Sequence, residues 1–178
     1  GRPLLGFMDM DGNWLGAPCW ADVLLFNDDM AAVQCPDTGL WGYINQHGET
    51  AIPPQFLDSN FFNHGLTFVQ KPDSPADWYA INKQGAFVTG PWRSIDHGRR
   101  GMLVVQDAQH RWALLDLAGR IKLGPQTLPD DLDEDGRLEQ LNDAYRTQRQ
   151  ALAERLKDAP LAQRVAELNP QSERDLAE

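Results

Sequence analysis

The stretch Leu40 to Gln70, LWGYINQHGETAIPPQFLDSNFFNHGLTFVQ, carries the pattern from which the architecture follows, because its skeleton returns on both sides of it. Measured from an aromatic or aliphatic opener, a glycine follows seven residues on and a proline six after that. The four copies are Leu5, Gly12, Pro18; Trp41, Gly48, Pro54; Trp78, Gly85, Pro91; and Trp112, Gly119, Pro125, at periods of 36, 37 and 34 residues. A period of this size marks a repeat array, in which each unit buries its apolar face against the next.

Each copy opens on an apolar segment, as in Trp41, Tyr43 and Ile44, and places Asp9, Asn45, Asn82 or Asp116 three residues ahead of the glycine. An Asx at the first position of a type I turn, followed by glycine supplying a positive φ, makes a short hairpin loop. The first two strands of a unit are therefore expected to be antiparallel neighbours. The second strand (Thr50 to Ile52, Phe87 to Thr89, Ile121 to Leu123) is expected to stop at the recurring proline, which cannot donate to a ladder and belongs at a strand end or a sheet edge. A third apolar run follows at Met30 to Val33, Leu66 to Val69 and Met102 to Val105, for about three short strands per unit and three and a half copies.

The segment LWGYINQHGETAIPPQF resembles the WG (KWG) β-repeat, with Trp41, Gly42, Tyr43, Ile44, Asn45, Gly48, Ile52, Pro54 and Phe56 on its pattern. The copy at Trp78 keeps Ile81, Asn82, Gly85 and Pro91 but has Tyr79 in place of the glycine, and the outer copies carry Leu5 for tryptophan and Ala113 for glycine. The resemblance covers Leu5 to Pro125. It implies tandem β-rich repeats of bacterial type and carries over no catalytic residues.

The 178 residues are 42% hydrophobic, enough for one core and an appendage, and bear a net charge of −10 with a pI near 4.7. That balance argues against a nucleic-acid footprint or an anionic membrane surface as partner. No apolar run approaches the length that crosses a bilayer, so no membrane insertion is expected, and nothing at the start resembles a signal peptide. The compartment stays open, with the cell envelope or periplasm among the alternatives. Residues 1–128 hold 13 acidic and 9 basic side chains, and residues 129–178 hold 13 and 7 over a far shorter span.

Cys19 and Cys35 fall in the first unit, where the spacing admits either a bridge or two free thiols. The histidines His47, His64, His97 and His110 fall in turns, at positions that do not repeat. No nucleophile elbow, phosphate loop or zincin motif is present, so the chain is read as non-enzymatic. Trp41, Trp78 and Trp112 are expected in equivalent, largely buried sites, because recurring apolar positions build a continuous core. Tyr79, Phe61 and Phe62 do not recur and are the better candidates for a surface that meets a partner.

After Pro125 the composition shifts. Residues 1–125 read as the repeat domain, 126–136 (QTLPDDLDEDG) as an acidic linker and 137–178 as a helical segment. Leu138, Leu141, Tyr145, Leu152 and Leu156 recur at helical spacing along one face, and Leu161, Val165 and Leu168 open a shorter second helix after Pro160. Leu141 and Tyr145 are further partner-binding candidates, with docking of the stripe within one chain, as a monomer, preferred to self-association. Asp131, Asp133 and Asp135, followed by Gly136 and Leu138, fit the first eight positions of a calcium loop, but Asn142 stands where a bidentate glutamate is expected. Capping of the helix by the same acids is the simpler use, so no cofactor other than that calcium is implied. The function these features support is protein interaction or scaffolding, with glycan or peptidoglycan binding at the cell envelope, or service to a larger enzyme, as alternatives.

Overall fold

The computed structural model describes residues 3–96, 101–160 and 163, and the chain divides into two compact units, residues 1–129 and 130–178. The first unit is built of three antiparallel four-stranded meanders. The first sheet runs β1 (Asp22–Val23), β2 (Met30–Gln34), β3 (Trp41–Asn45), β4 (Thr50–Phe56); the second β5 (Asp58–Ser59), β6 (Leu66–Lys71), β7 (Ser74–Asn82), β8 (Phe87–Trp92); the third β9 (Ser94–Asp96), β10 (Met102–Gln106), β11 (Trp112–Asp116), β12 (Ile121–Gln126). Four strands per sheet replace the three expected, because the short opening strands carry no apolar alternation.

The sheets are out of phase with the sequence repeat. The third apolar run of each copy joins the sheet of the following copy: Gln34 lies opposite Trp41, Gln70 opposite Trp78 and Gln106 opposite Trp112. Only Leu57 separates β4 from β5, and only Arg93 separates β8 from β9, so the chain leaves the last strand of one sheet directly into the first of the next. Each sequence copy is thereby divided between two sheets.

The expected hairpin chemistry is present in every copy. The side-chain Oδ1 of Asp9, Asn45, Asn82 and Asp116 accepts the backbone N–H groups two and four residues on, at 2.8–3.0 Å. The glycine N–H closes the turn on the Asx carbonyl at 2.9–3.1 Å, with φ between 78° and 85°. The turns at Gly48, Gly85 and Gly119 are seated on the second hairpin strand of the preceding copy. A Cβ at Gly48 would lie 2.7 Å from the Leu15 carbonyl oxygen, and one at Gly119 would lie 2.9 Å from a Val88 methyl carbon.

The second hairpin strand continues past the proline rather than stopping there, because β4, β8 and β12 are outer strands and bulge at that point. The motif glycine serves this bulge. A Cβ on Gly42 would meet the Ile52 carbonyl oxygen at 2.5 Å and the Pro54 nitrogen at 2.6 Å. Where Tyr79 replaces it, the glycine has moved across the ladder to Gly90, whose Cβ would lie 2.9 Å from the Trp78 carbonyl oxygen. Ala113 likewise faces a bulge containing Gly124.

Alternate residues of each strand serve different interfaces. Met30, Ala32, Tyr43, Ile52 and Phe56 of the first sheet pack with Phe62, Val69 and Ile81 of the second. The opposite face of the second sheet, Phe68, Ala80 and Trp92, packs with Leu103, Val105, Ala113 and Leu115 of the third. On the other side of the first sheet, Ala31, Val33 and Ile44 receive Phe7, Trp20 and Phe26. Burial on both faces explains why β2 and β10 read as unbroken apolar runs rather than alternating ones. Within the first interface the Tyr43 hydroxyl donates to the Asn60 carbonyl at 2.9 Å and lies 3.2 Å from the Thr67 hydroxyl; burial pushes its pKa up to about 12 against these bonds.

Trp41, Trp78 and Trp112 do occupy equivalent sites, but they are half-buried. Each lies beside the bulge at the sheet margin, and the core is filled by the residues after it, such as Tyr43, Ala80 and Leu114. Both cysteines are free, Cys19 exposed and Cys35 half-buried.

In the second unit, α1 spans Glu134–Arg155, beginning inside the expected linker. Asp133 is its N-cap, accepting the Gly136 N–H at 2.8 Å, with Glu134 and Asp135 in the first turn where carboxylates oppose the helix dipole. Leu138, Leu141 and Leu156 are buried and Tyr145 and Leu152 half-buried, which is the expected stripe. The second helix read at Leu161, Val165 and Leu168 lies outside the described residues.

Two substitution experiments test these assignments. Gly42→Ala should lower stability by about 1–3 kcal/mol through overpacking against backbone, whereas Gly124→Ala, with open space at its Cβ, should leave the denaturant midpoint unchanged or slightly raised. Asp133→Ala should lower stability by about 0.5–2 kcal/mol as a lost cap, with millimolar calcium leaving the melting temperature of the unmodified chain unmoved.

Candidate interaction surface

The side chains singled out from the sequence separate clearly by environment. Phe62 is fully buried, its ring edge-on to Tyr43 with centroids 4.8 Å apart, so the surface role expected for it is corrected to a core role. The residue lies in the loop leading into β6, whose apolar content gave no sign of which of two adjacent phenylalanines turns inward. Its neighbour Phe61 is 47% exposed. Leu141 is buried and Tyr145 half-buried on α1. Asp131, Asp133 and Asp135 stand at the start of α1 with Asp133 engaged as its cap, and among the described residues no group of acidic, histidine or cysteine side chains is arranged to hold a metal ion.

Tyr79 is half-buried on β7 and forms the floor of a shallow cleft of about 260 Å³ with Lys71, Phe87, Val88, Thr89 and Gly90. Its position follows from the bulge. Because Gly90 has no side chain, the Tyr79 ring, displaced from the small-residue site of the motif, rests on the outer strand, where a Gly90 Cβ would lie 3.0 Å from the Tyr79 Cδ1. The Phe87 ring meets Tyr79 edge-on at 5.7 Å, and the Lys71 ammonium lies 4.6 Å from the Tyr79 ring centre and 5.9 Å from that of Phe87. A cation over the ring face is a favourable contact, and it occupies the surface on which a planar ligand would stack. Lys71 also pairs with Asp73 at 3.5 Å, and Ser74 links Asp77 at 2.7 Å to the Tyr79 hydroxyl at 3.4 Å.

Phe87 belongs to a recurring position that the sequence reading missed. The first residue of the second hairpin strand is exposed in all four copies and apolar in three: Trp14 at 53%, Phe87 at 55% and Ile121 at 55%, with the polar Thr50 as the fourth. The signal was available as a period, but a period alone does not reveal it, since exposure depends on which face of an outer strand is covered.

Polar groups fasten one sheet to the next beside these turns. Asn27 donates to the Phe62 carbonyl at 2.6 Å, Asp28 accepts the Gly65 N–H, and Lys83 reaches Asp28 at 3.2 Å and Asp29 at 3.6 Å. The Gly65 N–H, with Lys83 and His64 adding to it, holds the Asp28 carboxyl below its ordinary pKa of 3.8. His47, His64 and His110 are exposed in turns, and His97 lies outside the described residues. His110 does more than fill a loop: with φ at 60° it takes the glycine place of a further Asx turn, in which the Asp107 Oδ1 accepts from Gln109 and Arg111 at 2.9 Å each. No helix among the described residues is long and apolar enough to cross a membrane.

Comparison with known proteins agrees with this geometry. No curated protein matches the chain significantly. Residues 41–72 match the family model of the WG containing repeat, a span that runs from β3 through β6 and so across two sheets. Residues 41–72 thus carry the WG containing repeat, and the turn and bulge found there recur in the hairpins at Trp78–Trp92 and Trp112–Gln126.

Proposed function

We propose that this repeat module is a non-catalytic protein-interaction element whose contact surface runs through Phe87, the Tyr79–Lys71 cleft and Ile121. The observation that supports it is the recurrence of an exposed apolar residue at one repeat position, Trp14, Phe87 and Ile121. A repeat array that exposes the same position in successive units presents an extended binding strip. Large apolar side chains held out in this way are the kind that anchor a protein partner.

A glycan platform is the poorer reading. Sugar stacking needs an open aromatic face, and the Tyr79 face is covered by Lys71 while Phe87 approaches it edge-on. A photoreactive residue placed at 87 or at 121 in cells that make the chain should yield discrete protein adducts, and the same residue at Gln84 should not. With the photoreactive residue at 87, Ile121→Ser should weaken those adducts, and with it at 121, Phe87→Ser should do the same, while stability stays within roughly 0.5 kcal/mol for each exposed change. Adducts to carbohydrate, or none from either site, would refute the proposal.

A further inference from the structure

The exposed position at Trp14, Thr50, Phe87 and Ile121 lies in four equivalent turns whose charges differ in sign. Over the seven residues from the Asx onward, the first turn carries Asp9 and Asp11, the second Glu49, the third Lys83, and the fourth Asp116, Arg120 and Lys122. The formal charge therefore runs −2, −1, +1, +1 along the array. The rest of the β unit follows the same division: residues 1–59 hold eight acidic side chains and one basic, residues 60–128 five acidic and eight basic.

Ion pairing sharpens the contrast. Lys83 of the third turn is shared by two carboxylates, Asp28 at 3.2 Å and Asp29 at 3.6 Å. In the fourth turn the ratio is reversed: the Arg120 Nε at 2.8 Å and the Lys122 Nζ at 3.1 Å share the single carboxylate of Asp116. That turn also adjoins the Tyr79 cleft, because Gly119 is seated on Val88 and Thr89, two of the residues that line it. In the cleft, Lys71 lies over the Tyr79 and Phe87 rings and pairs at 3.5 Å with Asp73, whose side chain is 77% exposed. Positive charge in excess of its partners thus collects at one end of the strip, around Phe87 and Ile121, and not around Trp14.

We infer that the segment received at the Phe87–Ile121 end is an acidic peptide of a partner protein, with apolar side chains set between carboxylates. The inference rests on that surface being a protein-interaction element. The apolar side chains pack on Phe87, Val88 and Ile121, and the carboxylates meet Lys71, Arg120 and Lys122. An ammonium has three N–H donors and a guanidinium five, so a cation bonded to Asp73 or Asp116 takes a second carboxylate without giving up the first. Complementary charge of this kind sets partner choice and position more than affinity. At physiological ionic strength fields are screened over about 8 Å, so the chain's net charge of −10 acts weakly at the strip and the cations beside it decide. Carboxylates around Trp14 repel the same segment, which confines it to the far end.

The test pans a random peptide library against the full chain, with the Phe87→Ser, Ile121→Ser variant as counter-selection. Peptides that need the intact strip should be rich in Asp and Glu around an aromatic or aliphatic residue. A synthetic copy of one such peptide should bind the Lys71→Gln, Lys122→Gln variant about three- to tenfold more weakly than the unmodified chain, in keeping with the loss of two surface ion pairs. Its counterpart with Asn and Gln in place of Asp and Glu should show at least that loss on the unmodified chain, a measurement that no misfolded variant can imitate. Strip-dependent peptides that are neutral or basic, or acidic ones indifferent to both charge changes, overturn the inference and leave the interaction surface standing. Absence of any strip-dependent peptide removes both. Self-association of the chain alone that the Phe87→Ser, Ile121→Ser variant abolishes also overturns the inference, by giving the strip to a second copy.

Discussion

A four-stranded sheet with apolar side chains on both faces cannot stand alone in water, and that constraint shapes the whole β unit. The interior strands of the second sheet turn one set of alternate residues to the first sheet and the other set to the third, and the first sheet turns its far side to Phe7, Trp20 and Phe26. Burying a single large aliphatic or aromatic side chain is worth about 1.5–3 kcal/mol, so each interface, with several such residues on either side, outweighs anything the hairpins contribute singly. The sheets hold because they are neighbours in sequence.

Division of each copy between two sheets makes that neighbourhood automatic. A chain that leaves β4 and enters β5 after one residue brings the second sheet against the first without a loop whose ordering would have to be offset. The turn glycines then set the spacing. With no side chain at Gly48, Gly85 or Gly119, each hairpin end settles onto the outer strand of the unit before it. The bulge shows how such a rule survives mutation: at the crossing of Gly42 with Pro53 and Pro54, and of Tyr79 with Gly90, the small residue changes strands while the close approach of the two backbones remains. Displacing the aromatic ring outward in the second case is what makes the Tyr79 cleft.

Much of this was legible in the residues. The Asx and glycine spacing identified the hairpins because that turn is specified within five residues, and the stripe on α1 followed from its period. The fourth strand was not legible, since Asp58–Ser59 is two residues long and polar. Nor was the phase between copy and sheet, because Leu66 to Val69 would satisfy its apolar needs equally well against Trp41 to Asn45 or against Trp78 to Asn82; only the packing distinguishes them. The proline was misread as a strand end because an outer strand tolerates the missing donor. Phe62 was misplaced because its burial is imposed by the surrounding strands, not by its own sequence.

The division of each copy between sheets is tested most directly by backbone nuclear Overhauser contacts across the third apolar run. The account requires contacts from Phe68 to Ala80, Thr67 to Ile81 and Val104 to Leu114, joining the end of one copy to the start of the next. Contacts from Leu66 to Gln70 back to Trp41 to Asn45, within a single copy, would contradict it.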